Sequence, residues 1–150
     1  MLYLIYKEGE IMQKFERLIN MCKVRLPITS ENVGEGMFLV DRGSFQLIIP
    51  SDNTEEHGDF LINSVQGHDN YSYNTESTHV YHVLDGSGKF IVDDEEITVE
   101  PGDSITIEPN KVFSYEGEMI MTLGMTPNFK EENEHIVRQV TYDKKGSSKK

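Results

Sequence analysis

A chain of 150 residues with a single cysteine, Cys22, cannot close an internal disulfide and has no thiolate cluster to hold zinc. Long apolar runs are missing too. The opening MLYLIY is only six residues and is followed by Lys7, Glu8 and Glu10. A secretory core needs roughly 7–15 apolar residues and a membrane span about 20, so neither is expected here. Positive charge is scarce: 14 Lys and Arg stand against 26 Asp and Glu, for a formal net charge of −12. That field repels phosphate backbones and anionic lipid, which excludes nucleic acid and membrane surfaces as expected partners. The five lysines and one arginine beyond residue 129 are mixed with acidic residues and do not reverse it. No internal repeat is visible. These absences describe a cytoplasmic chain of one domain, long enough to bury roughly two-thirds of its unfolded surface.

What is present falls into three zones. In residues 1–30, Ile11, Phe15, Leu18, Ile19 and Cys22 form an i, i+4, i+7, i+8, i+11 stripe. This predicts a short amphipathic helix packed on the main domain and closed by Pro27. Residues 31–127 change character. Short runs rich in Val, Ile, Phe, Tyr and Thr (MFLV, SFQLII, DFLINSV, HVYHVL, KFIV, EITV, SITI, VFSY, MIMTL) alternate with turn clusters. Strands this short at such spacing predict an all-β sandwich or small barrel. Residues 128–150, a C-terminal extension with FKEENEHIV and then DKKGSSKK, have the composition of a solvated polar tail.

Local chemistry is legible inside the middle zone. KFIVDDEEITV predicts a hairpin, with Phe90 and Val92 alternating before the DDEE loop and Ile97 and Val99 after it. The acidic loop lacks the glycine and ligand spacing of a calcium loop and reads as a solvated turn. In EPGDSITIEPN, Pro101 and Gly102 form a turn, Ile105 and Ile107 share a face, and Asn110 stands where a left-handed residue is needed. His79 and His82, three apart in one strand, point to opposite faces. His57 lies in a polar loop and His135 in the tail, where both are expected to be solvated.

Residues 67–117 resemble the cupin superfamily, whose small antiparallel barrels carry two motifs. The first is His-x-His, three or four residues, Glu, six residues, Gly. The second is Gly, five residues, Pro-x-Gly, two residues, His, three residues, Asn. YHVLDGSG and EPGDSITIEPN match the scaffold of this pattern. With Gly86 closing the first motif, His79 takes the glutamate place, and Ser72 and Asn74 take the two histidine places. A five-residue gap would instead put Tyr71 and Tyr73 there. With Gly102 opening the second motif, Phe113 takes its histidine place, Gly117 its asparagine place, and Glu108 and Asn110 its proline and second-glycine places. The resemblance implies an antiparallel double-stranded β-helix, a jelly-roll or cupin barrel, with a short N-terminal helix.

Family sites hold iron, manganese, zinc, nickel or copper through converging imidazoles and carboxylates. A hydroxyl, an amide, one imidazole and a phenyl ring do not make such a set, so no metal or other cofactor is expected. A second arrangement, with His68 beside His79 and Glu76 as a carboxylate, would make an improvised metal site. Strand alternation puts Ser72, Asn74, His79, Tyr81, Phe113 and Tyr115 on the barrel interior as ligand-binding residues. Such a cup suits a small polar organic ligand, in this family a sugar or sugar acid. Two other functions are open. One is a metal-free isomerase or epimerase with His79 as base and Tyr81 or Tyr115 as acid, His79 and Tyr81 being the catalytic candidates. The other is an interaction module whose barrel is filled by its own side chains. MLYLIY, as an apolar edge strand, is expected to pair across a homodimer.

Overall fold

The computed structural model describes residues 9–142 and 148–149. The expected edge strand MLYLIY and the side chain of Ile11 lie outside the described residues. Two helices, α1 (Gly9–Lys23) and α2 (Ser30–Val33), precede nine antiparallel strands of one curled sheet. These are β1 (Met37–Asp41), β2 (Phe45–Pro50), β3 (Gly58–Ser64), β4 (Asn70–Asn74), β5 (Thr78–Val92), β6 (Glu95–Val99), β7 (Ser104–Ile107), β8 (Phe113–Thr126) and β9 (Glu134–Gln139). A short pair of Thr141–Tyr142 and Ser148–Lys149 stands apart from it. The fold is all-β, a jelly-roll barrel with a short N-terminal helix.

Two long strands organise the barrel. β5 pairs with β6, β7 and β8, while β8 pairs with β3, β4 and β5. A bulge between Val83 and Asp85 lets β5 hand over from β7 to β6 along its length. Just past it Gly86 has φ +79°, and a Cβ there would run into the carbonyl oxygen of Glu118. Gly117 has φ +125° and brings the backbone of Gly88 close enough that a Cβ would sit 2.6 Å from its Cα. Gly86, which closes the first family motif, and Gly117, which departs from the second, are therefore both required by backbone approach between β5 and β8.

Period-2 alternation then sorts side chains between two cores. Phe60 and Ile62 of β3 and Met119, Met121, Leu123 and Met125 of β8 face the barrel interior, where Phe45 of β2 joins them. Their neighbours Ile48, Leu61 and Ile120 face outward into a second cluster with Phe15, Leu18 and Cys22 of α1, Ile28 and Val33. Strands buried on both faces account for the continuous apolar runs SFQLII, DFLINSV and MIMTL. The polar residues inside these runs form a chain. Arg25 Nη1 donates to Asn63 Oδ1 at 2.7 Å, Asn63 Nδ2 to Gln46 Oε1 at 3.0 Å, and Gln46 Nε2 to the Ile28 carbonyl at 3.3 Å. Buried Asn63 and Gln46 are thereby satisfied.

Three local expectations change. Helix α1 ends at Lys23, ahead of Pro27, because Arg25 takes a left-handed conformation (φ 59°) with its guanidinium held by Asn63 and by Glu118 at 3.3 Å. The DDEE loop shrinks to a two-residue turn. Asp93 and Asp94 have φ 49° and 71°, and Glu95 already pairs with Val92. Residues 134–139, expected within the polar tail, form β9 and pair with β4, because β4 otherwise leaves one backbone edge open beyond its single bridge to β8. Asn110 has φ 71°, the left-handed conformation expected of it.

Cys22 is fully buried, and burial pushes its thiol up to about 11. Leu18→Ala beside it should cost about 2–5 kcal/mol, read from urea unfolding, because Leu18 is fully buried between helix and sheet. The barrel interior should be undisturbed, since Leu18 belongs to the outer cluster.

Candidate functional site

Toward one end of the barrel interior Val83, Phe90, Val99, Met119 and Met121 are buried in the core and do not line the cavity. The other end opens into a cavity of about 400 Å3. Its walls are mostly apolar and aromatic, with Phe45, Tyr81, Phe113 and Tyr115 innermost and half-exposed Phe129 among the rest of the lining. Its polar groups are Arg42, His68, Asp69, Asn70, His79 and Glu134.

Strand register positions each of them. His79 and Tyr81 are two apart on β5 and share its inward face, their rings 6.2 Å apart and almost parallel at 5°. Phe113, at the start of β8, packs edge-on against His79 with ring centroids 5.1 Å apart. His68 stacks on Phe45 at 5.1 Å and meets Tyr115 edge-on at 5.2 Å. His68 Nδ1 lies 2.8 Å from the Asn70 carbonyl and 3.3 Å from the Asn70 backbone N–H, and the shorter contact, to a group that can only accept, favours the hydrogen on Nδ1. At the mouth, Arg42 places both Nε and Nη2 at 2.9 Å from Asp69 Oδ2.

Of the six residues expected to bind a ligand, His79, Tyr81, Phe113 and Tyr115 line the cavity. Ser72 and Asn74 do not. They are on the buried face of β4, as the four-residue gap requires, but Glu134 of β9 lies over them. Ser72 Oγ donates to Glu134 Oε2 at 3.0 Å and Asn74 Nδ2 to Glu134 Oε1 at 3.1 Å. The structure places both beside the strand that pairs with the edge of β4, outside the lining of the cavity. Tyr71 and Tyr73 take the opposite face, Tyr71 under the Arg138 guanidinium at 3.9 Å and Tyr73 stacked on His135 at 5.0 Å. His82 is exposed and faces Ser104. His57 is tied to Asp59 at 3.0 Å and Thr126 at 2.8 Å rather than solvated.

Glu134, Arg42 and Asn70 were not found by reading the sequence. The β-branched pair Ile136–Val137 amid the charges of the extension was the one hint of a strand there.

Burial sets the protonation of the site. Desolvation, with a smaller push from His68, lowers the His79 imidazole to about 4. His68 is likewise lowered, mainly by desolvation, against the opposing pull of the Asn70 carbonyl, Asp69 and Glu134. Desolvation first, then Glu134, raises the Tyr81 phenol. Tyr115 is raised as well by burial, and its hydroxyl has no hydrogen-bond partner.

A divalent transition metal does not fit this set. Ser72 and Asn74 are committed to Glu134, Phe113 presents a phenyl ring beside His79, and Glu76 is exposed and absent from the cavity lining. Among the described residues no three His, Cys, Asp or Glu side chains cluster as a metal site. The improvised His68–Glu76–His79 arrangement is therefore not assembled, although both imidazoles do line the cavity.

Residues 65–123 match the family model described as Cupin domain, and the barrel with its two motif scaffolds is of the kind found in the cupin superfamily. Among solved structures it resembles Streptomyces PAC13 with uridine, in a form with one histidine replaced by glutamine. Identity is 25% over 71% of this chain and 89% of that one, with a TM-score of 0.68. A second PAC13 structure, described as that of a nucleoside dehydratase, is also 25% identical, over 78% of this chain and 94% of that one, with a TM-score of 0.68. An RmlC-like cupin from Shewanella frigidimarina, 20% identical over 66% of this chain and 90% of that one (TM-score 0.56), shares the fold. No curated protein matches the chain. Among the described residues no helix is long and apolar enough to cross a membrane.

The site's protonation and donors set three expected outcomes. Folded His79 and His68 both titrate below 6.5, the usual imidazole value, so the unfolded chain binds more protons and stability falls with pH. For His79 the loss begins near pH 6.5 and is complete below about 4, on the order of 3 kcal/mol. His79→Gln should flatten that part of the curve of urea midpoint against pH; an unchanged slope would contradict a buried neutral imidazole. Elemental analysis of the purified protein should find no stoichiometric iron, manganese, nickel, copper or zinc. Phe113→His should by itself create pH-dependent zinc binding, because ring 113 lies between His68 (6.4 Å) and His79 (5.1 Å).

Proposed function

We propose that the protein binds a small polar organic molecule of nucleoside or sugar type in the open end of its barrel, without a resident transition metal. One observation carries this reading: the interior is filled at one end and leaves a cavity of about 400 Å3 at the other, within the size range of ligand pockets. A barrel serving only as an interaction module would have no reason to leave that end open among converging polar groups. The aromatic walls suit the face of a planar ring, and His68, Asn70, His79 and Glu134 supply polar contacts. The uridine bound by Streptomyces PAC13 supports a ligand of this class.

The second reading, an isomerase or epimerase with His79 as base, is favoured by the parallel stacking of His79 on Tyr81. The electrostatics weigh against it. An imidazole lowered to about 4 is a weak base, and a phenol raised by burial is a weak acid, so both halves of the pair are moved away from neutrality. Binding is the function this geometry serves best.

We also propose that the protein is a cytoplasmic homodimer. β1 is an edge strand of the sheet, and Phe38 on it is 60% exposed, which leaves a surface for a second chain. Removing residues 1–6 should give monomer or precipitate by light scattering.

Native mass spectrometry and calorimetry with uridine, ribose and glucose test the binding. Saturable binding of at least one is expected, weakened about tenfold or more by Tyr81→Ala. Full occupancy of the cavity by side chains in a crystal structure, with no binding of any probe, would overturn the reading. Turnover of a bound ligand that His79→Ala abolishes would move the assignment to the enzyme.

A further inference from the structure

Glu134 is the cavity group that neither the family motifs nor the sequence pattern marks. It enters from the first residue of β9, opposite Asn74 of β4 in the sheet register. Its two oxygens each accept one hydrogen bond, from Ser72 Oγ and Asn74 Nδ2. The Asn74 amide cannot be turned round, because its Oδ1 already accepts from the backbone N–H groups of Glu76 at 2.8 Å and Ser77 at 2.6 Å. Glu134 is thus clamped from behind by two donors, and its remaining lone pairs are available to the cavity it lines.

The charges of the cavity do not cancel. Among the described residues Arg42 is the only cation in the lining, and both of its contacting nitrogens are spent on Asp69. Among the described residues no cation pairs with Glu134. The two imidazoles add no charge at neutral pH, since burial keeps both below their usual value. One negative charge in a mostly apolar cup is left uncompensated. Two further buried groups that line the cavity, Asn70 Oδ1 and the Tyr115 hydroxyl, have no partner. They offer one acceptor and one donor.

We propose that Glu134 anchors hydroxyl groups of the ligand and makes the cavity select uncharged ligands over phosphorylated or carboxylated ones built on the same scaffold. This rests on the small-molecule reading above. A hydroxyl donating to a fixed carboxylate gains a charge-assisted bond. A phosphate or carboxylate in the same space meets the Glu134 charge at low dielectric, with Arg42 already neutralised by Asp69. A neutral nucleoside or sugar fits these groups, and a sugar acid, the other ligand expected from the sequence, does not.

The test is calorimetric titration of the full chain at pH 7 with matched pairs: uridine and uridine 5′-monophosphate, ribose and ribose 5-phosphate, glucose and gluconate. The neutral member of a binding pair should bind at least about tenfold more tightly than its anionic partner. Glu134→Gln keeps an oxygen for Asn74 and an amide for Ser72, so the barrel should fold. The variant should bind the neutral member about tenfold more weakly and narrow the discrimination. Arg42→Gln, at the exposed mouth, removes the one cation and should widen it. Equal affinity for both members of a binding pair overturns the selectivity alone. So does a discrimination that neither substitution changes. Binding of no member of any pair overturns the small-molecule reading itself, and the selectivity with it.

Discussion

The pairing of β5 with β8 is the constraint on which the rest of the molecule depends. Fourteen residue pairs join these two strands, from Thr78 against Thr126 to Val92 against Phe113. Each is far longer than an ordinary strand, and each also serves other partners: β6 and β7 on β5, β3 and β4 on β8. A one-residue slip would turn His79 and Tyr81 out to solvent and bring Val80 and His82 in. Close approach at Gly86 and between Gly88 and Gly117, together with the bulge after Val83, opposes such a slip. The position of the cavity is a consequence of that register: His79 and Tyr81 near one end of the ladder and Phe113 and Tyr115 at the other line it, while Val83, Met119 and Met121 between them belong to the core and not to its lining.

Electrostatically the site is built by subtraction. Burial removes charge from His68 and His79 and holds Tyr81 and Tyr115 in their neutral forms. What remains charged comes from the periphery, Arg42 and Asp69 at the mouth and Glu134 from the last strand of the sheet. Where related barrels converge imidazoles and carboxylates on a metal, this chain has substituted a phenyl ring at 113 and used Ser72 and Asn74 to hold a carboxylate from outside both motifs. The donors survive in part, but they no longer share a centre.

Much of the fold was legible because it rests on local signals. Alternation in HVYHVL and KFIV, the Pro101–Gly102 turn and the left-handed Asn110 are determined within a few residues of chain. The helical stripe Phe15, Leu18, Cys22 is legible for the same reason, as its period does not depend on what it packs against. Less was legible at the site. His79, Tyr81, Phe113 and Tyr115 could be placed on the inner face from strand period and motif register together. Their company could not. The exit of α1 comes before Pro27 because Arg25 terminates the helix through bonds to Asn63 and Glu118, residues distant in sequence. The strand in the extension is not legible because its polar, charged composition describes its exposed face and says nothing of the backbone edge that β4 leaves open.

The sequence by itself determined that this chain is a small β-barrel with one N-terminal amphipathic helix, that Cys22 is unpaired, and that the ligand places of the family are occupied by Ser72, Asn74, His79 and Phe113. These follow from residue type and from periods of two and 3.6, which are properties of neighbouring residues. Only the tertiary structure decided that Ser72 and Asn74 bond to Glu134, that a cavity opens within the barrel beside its packed core, and that burial lowers the pKa of His68 and His79. Each of these depends on groups brought together across long stretches of chain, through pairing of β4 with β9 and desolvation by opposite walls of the barrel. Neither a backbone edge in need of a partner nor the dielectric around an imidazole is written in the residues beside it.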